Sequence, residues 1–284
     1  FSTVASLVSR PDVITIGTVS TIYGLNPPEV FQQNHLRLHV GQTADPQDVV
    51  RSLVELQYRR TTREITRGDV RLRGEVLDVW MPSRDDPIRD KFGWEGIERI
   101  QVCEAVSWEP LDEFEEAWIH PREFYMTSED RFNQALEDIE TELGNRLDWF
   151  ESKDRGLEAH RLEQRTRFDL EMLDEVGSCK GVENYSMHFD GRSRGDRSYC
   201  LLDFFASNAE QFHGGSDRYL VIMDESHVTL PQVGGMYGGD FSRKKNLVDH
   251  GFRLPSAYDN RPLRIDEFQS LVPQMVYAVS YTHL

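Results

Sequence analysis

Two adjacent acidic residues near the end of the chain are its clearest candidates for chemistry. Asp224 and Glu225 directly follow the apolar run Tyr219-Leu-Val-Ile-Met223. A run without alternation is typical of a parallel strand covered on both faces, and ligands of such sheets bind beyond the carboxyl ends of the strands. One carboxylate there can hold Mg²⁺ through water, and the next can orient or deprotonate an attacking water. The pattern predicts phosphate chemistry, and capping of the next element is the alternative.

The usual partner of such acids is missing from the chain. A phosphate loop of the Walker A type needs a lysine directly after a glycine and before serine or threonine. None of the five lysines follows a glycine: Lys91, Lys153, Lys180, Lys244 and Lys245. Either the acids serve another purpose, or the loop lay upstream of Phe1. Because the first residue is Phe and not Met, we expect the chain to be cut at its front end.

A cluster of arginines forms the second candidate site. The segment from Arg59 to Arg73 holds six arginines against Glu64 and Asp69. Alternation in the predicted strand puts Arg71 and Arg73 together on the face opposite the apolar side chains. Arginine forks capture carboxylates of a partner protein as readily as phosphates. An ordinary solvated strand face is the alternative.

Composition limits the classes of protein that these sites can belong to. The chain has 284 residues, enough for roughly two domains of ~150 residues. Its net charge of −17 argues against a protein that coats DNA through its overall field. No apolar run approaches the ~20 residues of a membrane span. The three cysteines are widely spaced and form no C-x-x-C pair, which predicts a cytoplasmic protein, and the histidines show no zinc-ligand spacing.

Hydrophobic periodicity predicts the elements that position these residues. The segment Asp12–Gly17 reads as a buried strand that leads into a turn. A helix is expected from Pro46 to Leu56, followed by several strands. From Thr127 onward, with Thr127 or Ser128 as the cap, the period becomes helical. This helix and a second one ending by Gly177 predict a helical hairpin, and the first has an apolar stripe made of Phe132, Leu136, Ile139, Leu143 and Leu147.

Several motifs together resemble one family. Asp224-Glu-Ser-His-Val-Thr-Leu-Pro-Gln232, Leu247-Val-Asp-His-Gly-Phe-Arg-Leu-Pro-Ser-Ala257 and Asp259-Asn-Arg-Pro-Leu263 are similar to the UvrB family of the bacterial excinuclease ABC. Ser20-Thr-Ile-Tyr-Gly24 and Glu183-Asn-Tyr-Ser186 extend the resemblance over nearly the whole chain.

The resemblance implies an α/β fold in four parts. Residues 1–29 and 218–284 would form part of a RecA-like, P-loop helicase lobe with a parallel sheet. Residues 30–121 would be an inserted α+β domain that interacts with UvrA. Residues 122–217 would be a helical domain.

The resemblance also implies a function in nucleotide excision repair. The intact protein would be a helicase-type ATPase of superfamily two that uses ATP and Mg²⁺ on damaged double-stranded DNA, with UvrA and UvrC as partners. Asp224 would hold Mg²⁺ indirectly, Glu225 would activate water, and His227 would link the nucleotide to the DNA-facing parts. The contact arginines for UvrA would be Arg60, Arg71 and Arg73.

The residues that could contact DNA keep their alternatives open. Tyr185 could stack on a base or fill a core. Arg243 and Lys244 could approach phosphates or end a solvated helix. There are two alternative functions: a non-catalytic module that docks UvrA, and a transcription–repair coupling translocase. The Asp224–His227 box favours UvrB over the translocase.

This chain by itself is expected not to hydrolyse ATP, because it supplies only the carboxylate half of a nucleotide site. The measurement is phosphate release from the purified chain with and without DNA. DNA-stimulated release above the buffer rate would contradict this expectation.

Overall fold

The computed structural model describes residues 2–122 and 128–280 and divides into two compact units. The sheet unit comprises residues 1–9 and 29–126, and the helical unit comprises residues 10–28 and 127–284. The elements of the sheet unit are α1 (Ser2–Ser9), α2 (Pro28–Gln33, whose first residue belongs to the helical unit), β1 (Leu36–His39), α3 (Pro46–Glu55), β2 (Arg59–Arg60), β3 (Asp69–Arg73), β4 (Val76–Val79), β5 (Ile88–Phe92), β6 (Ile97–Cys103), β7 (Pro110–Phe114) and β8 (Glu116–Ile119).

The helical unit is formed mainly by α-helices, with a pair of short strands. Its elements are α4 (Glu129–Glu151), α5 (Gly156–Val176), α6 (Ser186–Asp190), α7 (Leu201–His213), β9 (Val221–Met223), α8 (Ser226–Asp249), α9 (Ile265–Leu271) and β10 (Met275–Tyr277), with short 3₁₀ helices at Val19–Ile22, Val182–Tyr185 and Pro255–Asp259.

The sheet unit is built on six strands in the order β2-β3-β4-β5-β6-β7. All neighbours are antiparallel except β2 and β3, and β1 pairs separately with β8. The predicted helix over Pro46–Leu56 is confirmed as α3, where the Asp45 side chain caps the first turn by accepting from Gln47 N at 2.7 Å. The buried residues of α3 join the apolar face of the sheet in one core.

One polar side chain lies inside this apolar core. Asp90 on β5 is fully buried next to Leu77 and Ile100, its partners on the neighbouring strands. Neither carboxylate oxygen has a hydrogen-bond partner within the described residues. Burial, helped by the nearby charge of Asp78, raises the pKa of Asp90 to about 8. The folded protein therefore keeps this carboxyl protonated at neutral pH.

The helical hairpin predicted from the sequence is confirmed as α4 and α5. Ser128 caps α4, since its hydroxyl accepts from Arg131 N at 3.3 Å, whereas Thr127, the other candidate, lies outside the described residues. Ile139 and Leu143 from the predicted stripe are buried, and its other three members pack beside them.

The apolar run before the acids forms the expected parallel strand. Val221–Met223 pairs in parallel with Met275–Tyr277, and α8 begins directly after the acids. The expectation that this strand is covered on both faces is wrong, because Ile222 is 65% exposed. In the described part of the chain β10 is the only strand paired with β9, so the sheet is too narrow to cover both faces.

The predicted strand Asp12–Gly17 is also wrong. This segment has no regular structure, and Ile14 and Ile16 are 94% and 98% exposed. A strand needs a neighbouring backbone to satisfy its amides, and no described strand pairs with this segment. Its start is held instead by α7, where Asn208 donates to the Arg10 carbonyl at 2.7 Å.

Replacing the buried acid should change the pH dependence of stability. An unfolded Asp titrates near pH 4, so between about pH 4 and about 8 the folded chain holds a proton that the unfolded chain has lost. Stability of the wild type therefore falls as the pH rises through this window. Asp90→Val should remove the fall and stabilise the sheet unit by roughly 2 kcal/mol or more at pH 8.

Urea unfolding followed by tryptophan fluorescence measures this, because Trp80, Trp94, Trp108 and Trp118 all lie in the sheet unit. The matched control is Asp90→Asn, which keeps a buried polar group but cannot titrate. It should flatten the pH profile without the full gain in stability. If the free energy of unfolding had the same pH dependence in wild type and Asp90→Val, the raised pKa of Asp90 would be contradicted.

Candidate functional site

The acidic pair lies at the carboxyl end of β9. Asp224 is exposed and Glu225 is partly exposed, so neither is enclosed by other side chains. The Asp224 carboxylate accepts from Glu225 N at 2.9 Å. The Glu225 carboxylate accepts from the Ser280 hydroxyl, and its second oxygen lies 3.4 Å from His227 Nδ1. The three residues named from the sequence are therefore close together and open to solvent.

The backbone around the acids is held by the strand pair and the helix. Met223 O accepts from Ala278 N at 2.9 Å, and Ala278 O accepts from Ser226 N at 2.9 Å. Glu225 has a left-handed backbone with φ 45° at the N-cap of α8, but its side chain makes no capping hydrogen bond. The alternative interpretation, in which the side chain of the N-cap residue caps α8, is therefore not supported by this geometry. The N-terminal end of α8 instead adds a favourable dipole for anionic groups.

The donor set at the acids fits an indirectly bound magnesium ion. Among the described residues no group of three or more His, Cys, Asp or Glu side chains could enclose a metal. Mg²⁺ in phosphate-transfer sites is commonly held by one or two carboxylates, with water and substrate phosphates completing the shell. Asp224 can serve as such a ligand, since its carboxylate is exposed beside the start of α8.

The arginine cluster divides into buried and exposed members. Arg71 is only 7% exposed: its Nε and Nη2 donate to Asp78 Oδ2 at 3.1 and 2.6 Å, and Nη1 donates to Arg63 O at 3.2 Å. The register of β3 and β4 places Asp78 directly opposite Arg71. The expectation that Arg71 and Arg73 are presented together is therefore corrected, since Arg71 is occupied by its cross-strand partner.

The other two candidate arginines remain available. Arg73 is exposed and donates only to Thr62 O at 3.3 Å. Arg60 is exposed on β2 and donates weakly to Gln47 Oε1 at 3.4 Å. The sheet register continues the row of Arg73 across Val76 to Lys91 and Arg99, which are also exposed. Sequence reasoning missed these two cations, because strand pairing and not sequence distance brings them into line.

Comparison with known proteins identifies the family. Residues 36–125 match the UvrB interaction domain, and residues 130–191 match the UvrB third helical domain. Together the two matches cover more than half of the chain. The chain belongs to the UvrB family.

Full-length relatives agree with this assignment. The UvrABC system protein B of Natranaerobius thermophilus is 43% identical over 97% of the chain and 41% of its own length. The proteins of the same name from Francisella tularensis and Methanobrevibacter smithii are 46% and 44% identical over 97% of the chain. The chain spans 40% and 41% of the length of these two relatives.

The matched UvrB domains contain some of the candidate residues and not others. The three arginines predicted as contacts lie in the range matched by the interaction domain, and Tyr185 lies in the range matched by the third helical domain. The acids and His227 lie outside both ranges.

Two of the three candidate DNA contacts are buried in this UvrB family member. Tyr185 is 3% exposed and donates to Asp169 Oδ2 at 2.8 Å, and burial raises the pKa of its phenol. Lys244 is 4% exposed, with its ammonium 2.8 Å from Asp240 and donating to Asn260 O. Both predictions of DNA contact are corrected for this conformation: core packing applies to Tyr185, and a buried ion pair holds Lys244. Arg243 keeps an exposed side chain.

A buried polar cluster in the helical unit escaped the sequence analysis. The Glu142 carboxylate accepts from His188 Nε2 at 2.9 Å, Arg194 Nη2 at 2.7 Å and Ser256 N at 2.9 Å. Burial alone would raise the pKa of Glu142, but the hydrogen bonds from His188 and Ser256 hold it below its usual range. The cluster ties α4 and α6 to the loop after α6 and to the 3₁₀ helix Pro255–Asp259, which are distant in sequence.

Two further observations concern the hydropathy of the helices and the state of the cysteines. None of the helices in the described ranges is both long and apolar enough to cross a membrane. All three cysteines are buried and unpaired.

Neighbouring cations Arg243 and Lys244 should differ sharply in their effect on stability. Lys244→Ala leaves Asp240 buried without its ammonium partner, so we expect a loss of roughly 3 kcal/mol. Arg243→Ala, the control at the preceding residue, removes only a longer contact of 3.2 Å from an exposed side chain to the same carboxylate, so it should cost about 1 kcal/mol or less. Urea unfolding followed by far-UV circular dichroism measures both, and equal effects would contradict the assignment of Lys244 to the interior.

Proposed function

We propose that this chain is part of a UvrB-type subunit for nucleotide excision repair and that its sheet unit docks UvrA. The observation that carries the proposal is the exposed arginine pair on the sheet unit, Arg60 and Arg73, in a chain whose net charge is −17. A local positive surface in an acidic protein attracts an acidic group of a partner. The interaction-domain match over the same residues supports this choice.

The second part of the proposal concerns the acids. In the longer protein they would belong to an ATP site, where Mg²⁺ neutralises phosphate charge and polarises the bond that is cleaved. Asp224 would hold the ion through water, and Glu225 would orient or deprotonate the attacking water. His227 Nδ1 lies 3.4 Å from a carboxylate oxygen of Glu225, so the two side chains interact electrostatically. This contact supports the proposed role of His227 as a link between the nucleotide and DNA-facing residues.

Damaged double-stranded DNA and UvrC are proposed for the longer protein. Within this chain the candidate contact that remains exposed is Arg243 on α8. Its guanidinium lies 3.2 Å from the Asp240 carboxylate. Binding to a DNA phosphate would therefore replace this contact with Asp240. This makes Arg243 a supporting contact and not a main determinant of DNA affinity.

A non-catalytic docking module is the second candidate for the chain as it stands. The sheet unit holds the complete six-stranded sheet and its arginines, whereas the acids have no lysine-bearing phosphate loop within the sequence. Docking through these arginines would use residues that the chain contains. The translocase alternative has less support, because the relatives named above are all called UvrABC system protein B.

Charge reversal on the exposed strand face tests docking. Arg60→Glu combined with Arg73→Glu should weaken binding to UvrA of Francisella tularensis about tenfold or more, since two attractive pairs become repulsive. The wild-type affinity should also fall with added salt. Arg71 is left intact, because its reversal would place two carboxylates side by side in a buried position.

The matched control is Arg51→Glu combined with Arg167→Glu. It changes the net charge equally, at two exposed arginines outside the cluster. Biolayer interferometry at several salt concentrations measures all three proteins. Equal affinities for the two double variants would show that the arginine cluster does not bind UvrA.

A further inference from the structure

Two arginines of the sheet unit share one buried carboxylate. Arg71 donates to Oδ2 of Asp78, and Arg89 donates to Oδ1 of the same group through its Nε at 2.7 Å. The register of β3, β4 and β5 places these three residues in one row across the sheet. These three side chains comprise two positive charges and one negative charge, and the register continues the row through Gln101 to Glu113 on β7.

A single aromatic ring lies over both guanidinium groups. The centroid of Trp108 is 5.0 Å from the Arg71 Cζ and 4.6 Å from the Arg89 Cζ. Both distances are within the range of a cation–π contact. With the ring in this place the Arg71 side chain is 8% exposed, although Arg73 on the same strand face is open to solvent.

The backbone at Trp108 is in a conformation that tryptophan rarely adopts. Its φ is 61°, in the left-handed region where a Cβ atom is disfavoured. The turn is closed by Trp108 N donating to Glu104 O at 3.0 Å and by the Glu104 carboxylate, which accepts from Val106 N at 2.8 Å. The turn therefore fixes the backbone of Trp108, and the described contacts that hold the ring over the row are those with the two arginines.

We propose that Trp108 is a lid over the Arg71–Asp78–Arg89 row and that it must swing away before a partner carboxylate can reach Arg71. In the closed position the ring occupies the face of the row from which an acidic side chain would approach. Opening gives up two cation–π contacts, which an incoming carboxylate replaces with ionic hydrogen bonds. The role of the lid in docking rests on the proposed binding of UvrA, but the lid itself does not.

Chemical labelling of arginine tests the lid without any partner. Phenylglyoxal reacts with accessible guanidinium groups, and mass spectrometry of peptides from the full chain gives the rate at each residue. Trp108→Gly removes the ring and suits the positive φ, so it should fold and should speed labelling of Arg71 about fivefold. Trp108→Phe keeps a ring and should remain close to wild type.

Trp94→Gly is the matched control. Trp94 also lies in a turn between two strands of this sheet, but its side chain is fully exposed. This variant should leave the labelling of Arg71 unchanged, and Arg73 should react at the same rate in all four proteins. An unchanged rate for Arg71 in Trp108→Gly overturns the lid.

Binding to UvrA then tests whether the lid regulates docking. Trp108→Gly should associate with UvrA about fivefold faster than wild type, because Arg71 is accessible without a prior movement of the ring. Weaker binding by Trp108→Gly would overturn the proposal by making Trp108 a contact in its own right. If wild type fails to bind UvrA at all, the proposed function fails, while the labelling result still decides whether Trp108 covers Arg71.

Discussion

Buried carboxylates decide which cations of this acidic chain are available to other molecules. A carboxylate removed from water is stable only when a cation or hydrogen-bond donors satisfy it. Asp78 forms ion pairs with Arg71 and Arg89 in the sheet unit, and Asp240 forms an ion pair with Lys244 in the helical unit. Lys244, which looks like a ligand for phosphates in the sequence, is thereby committed to the fold, and Arg71 is held by Asp78 beneath Trp108.

What is left exposed includes the residues of the two proposed functional surfaces. Arg60 and Arg73 keep weak local contacts on one unit, and the acids at the end of β9 are open on the other. Both places combine a backbone held by strand pairing with side chains that keep exposed polar atoms. This is the condition under which a binding site gains from preorganisation, because little further ordering is needed when the partner arrives.

Local patterns predicted the elements whose stability is local. The helix after Asp45 and the apolar stripe of α4 follow from capping and periodicity. The strand before Asp224 was predicted from β propensity, but it forms by pairing with β10. The segment Asp12–Gly17 has the same β-branched composition as a strand but adopts none, since strand structure depends on a neighbour that composition does not supply. The division of the chain into four parts stays a prediction.

The sequence by itself determined the family resemblance, the presence of paired acids after an apolar strand and the excess of arginine between residues 59 and 73. Tertiary structure alone decided that Tyr185 and Lys244 are interior residues, that Arg71 is bound to Asp78, and that Trp108 covers it. The reason is that charge and residue type are properties of the chain, whereas exposure depends on which distant residue the register and the packing place alongside. Asp90 is the sharpest case, because only its position in the core turns an ordinary acid into a protonated one.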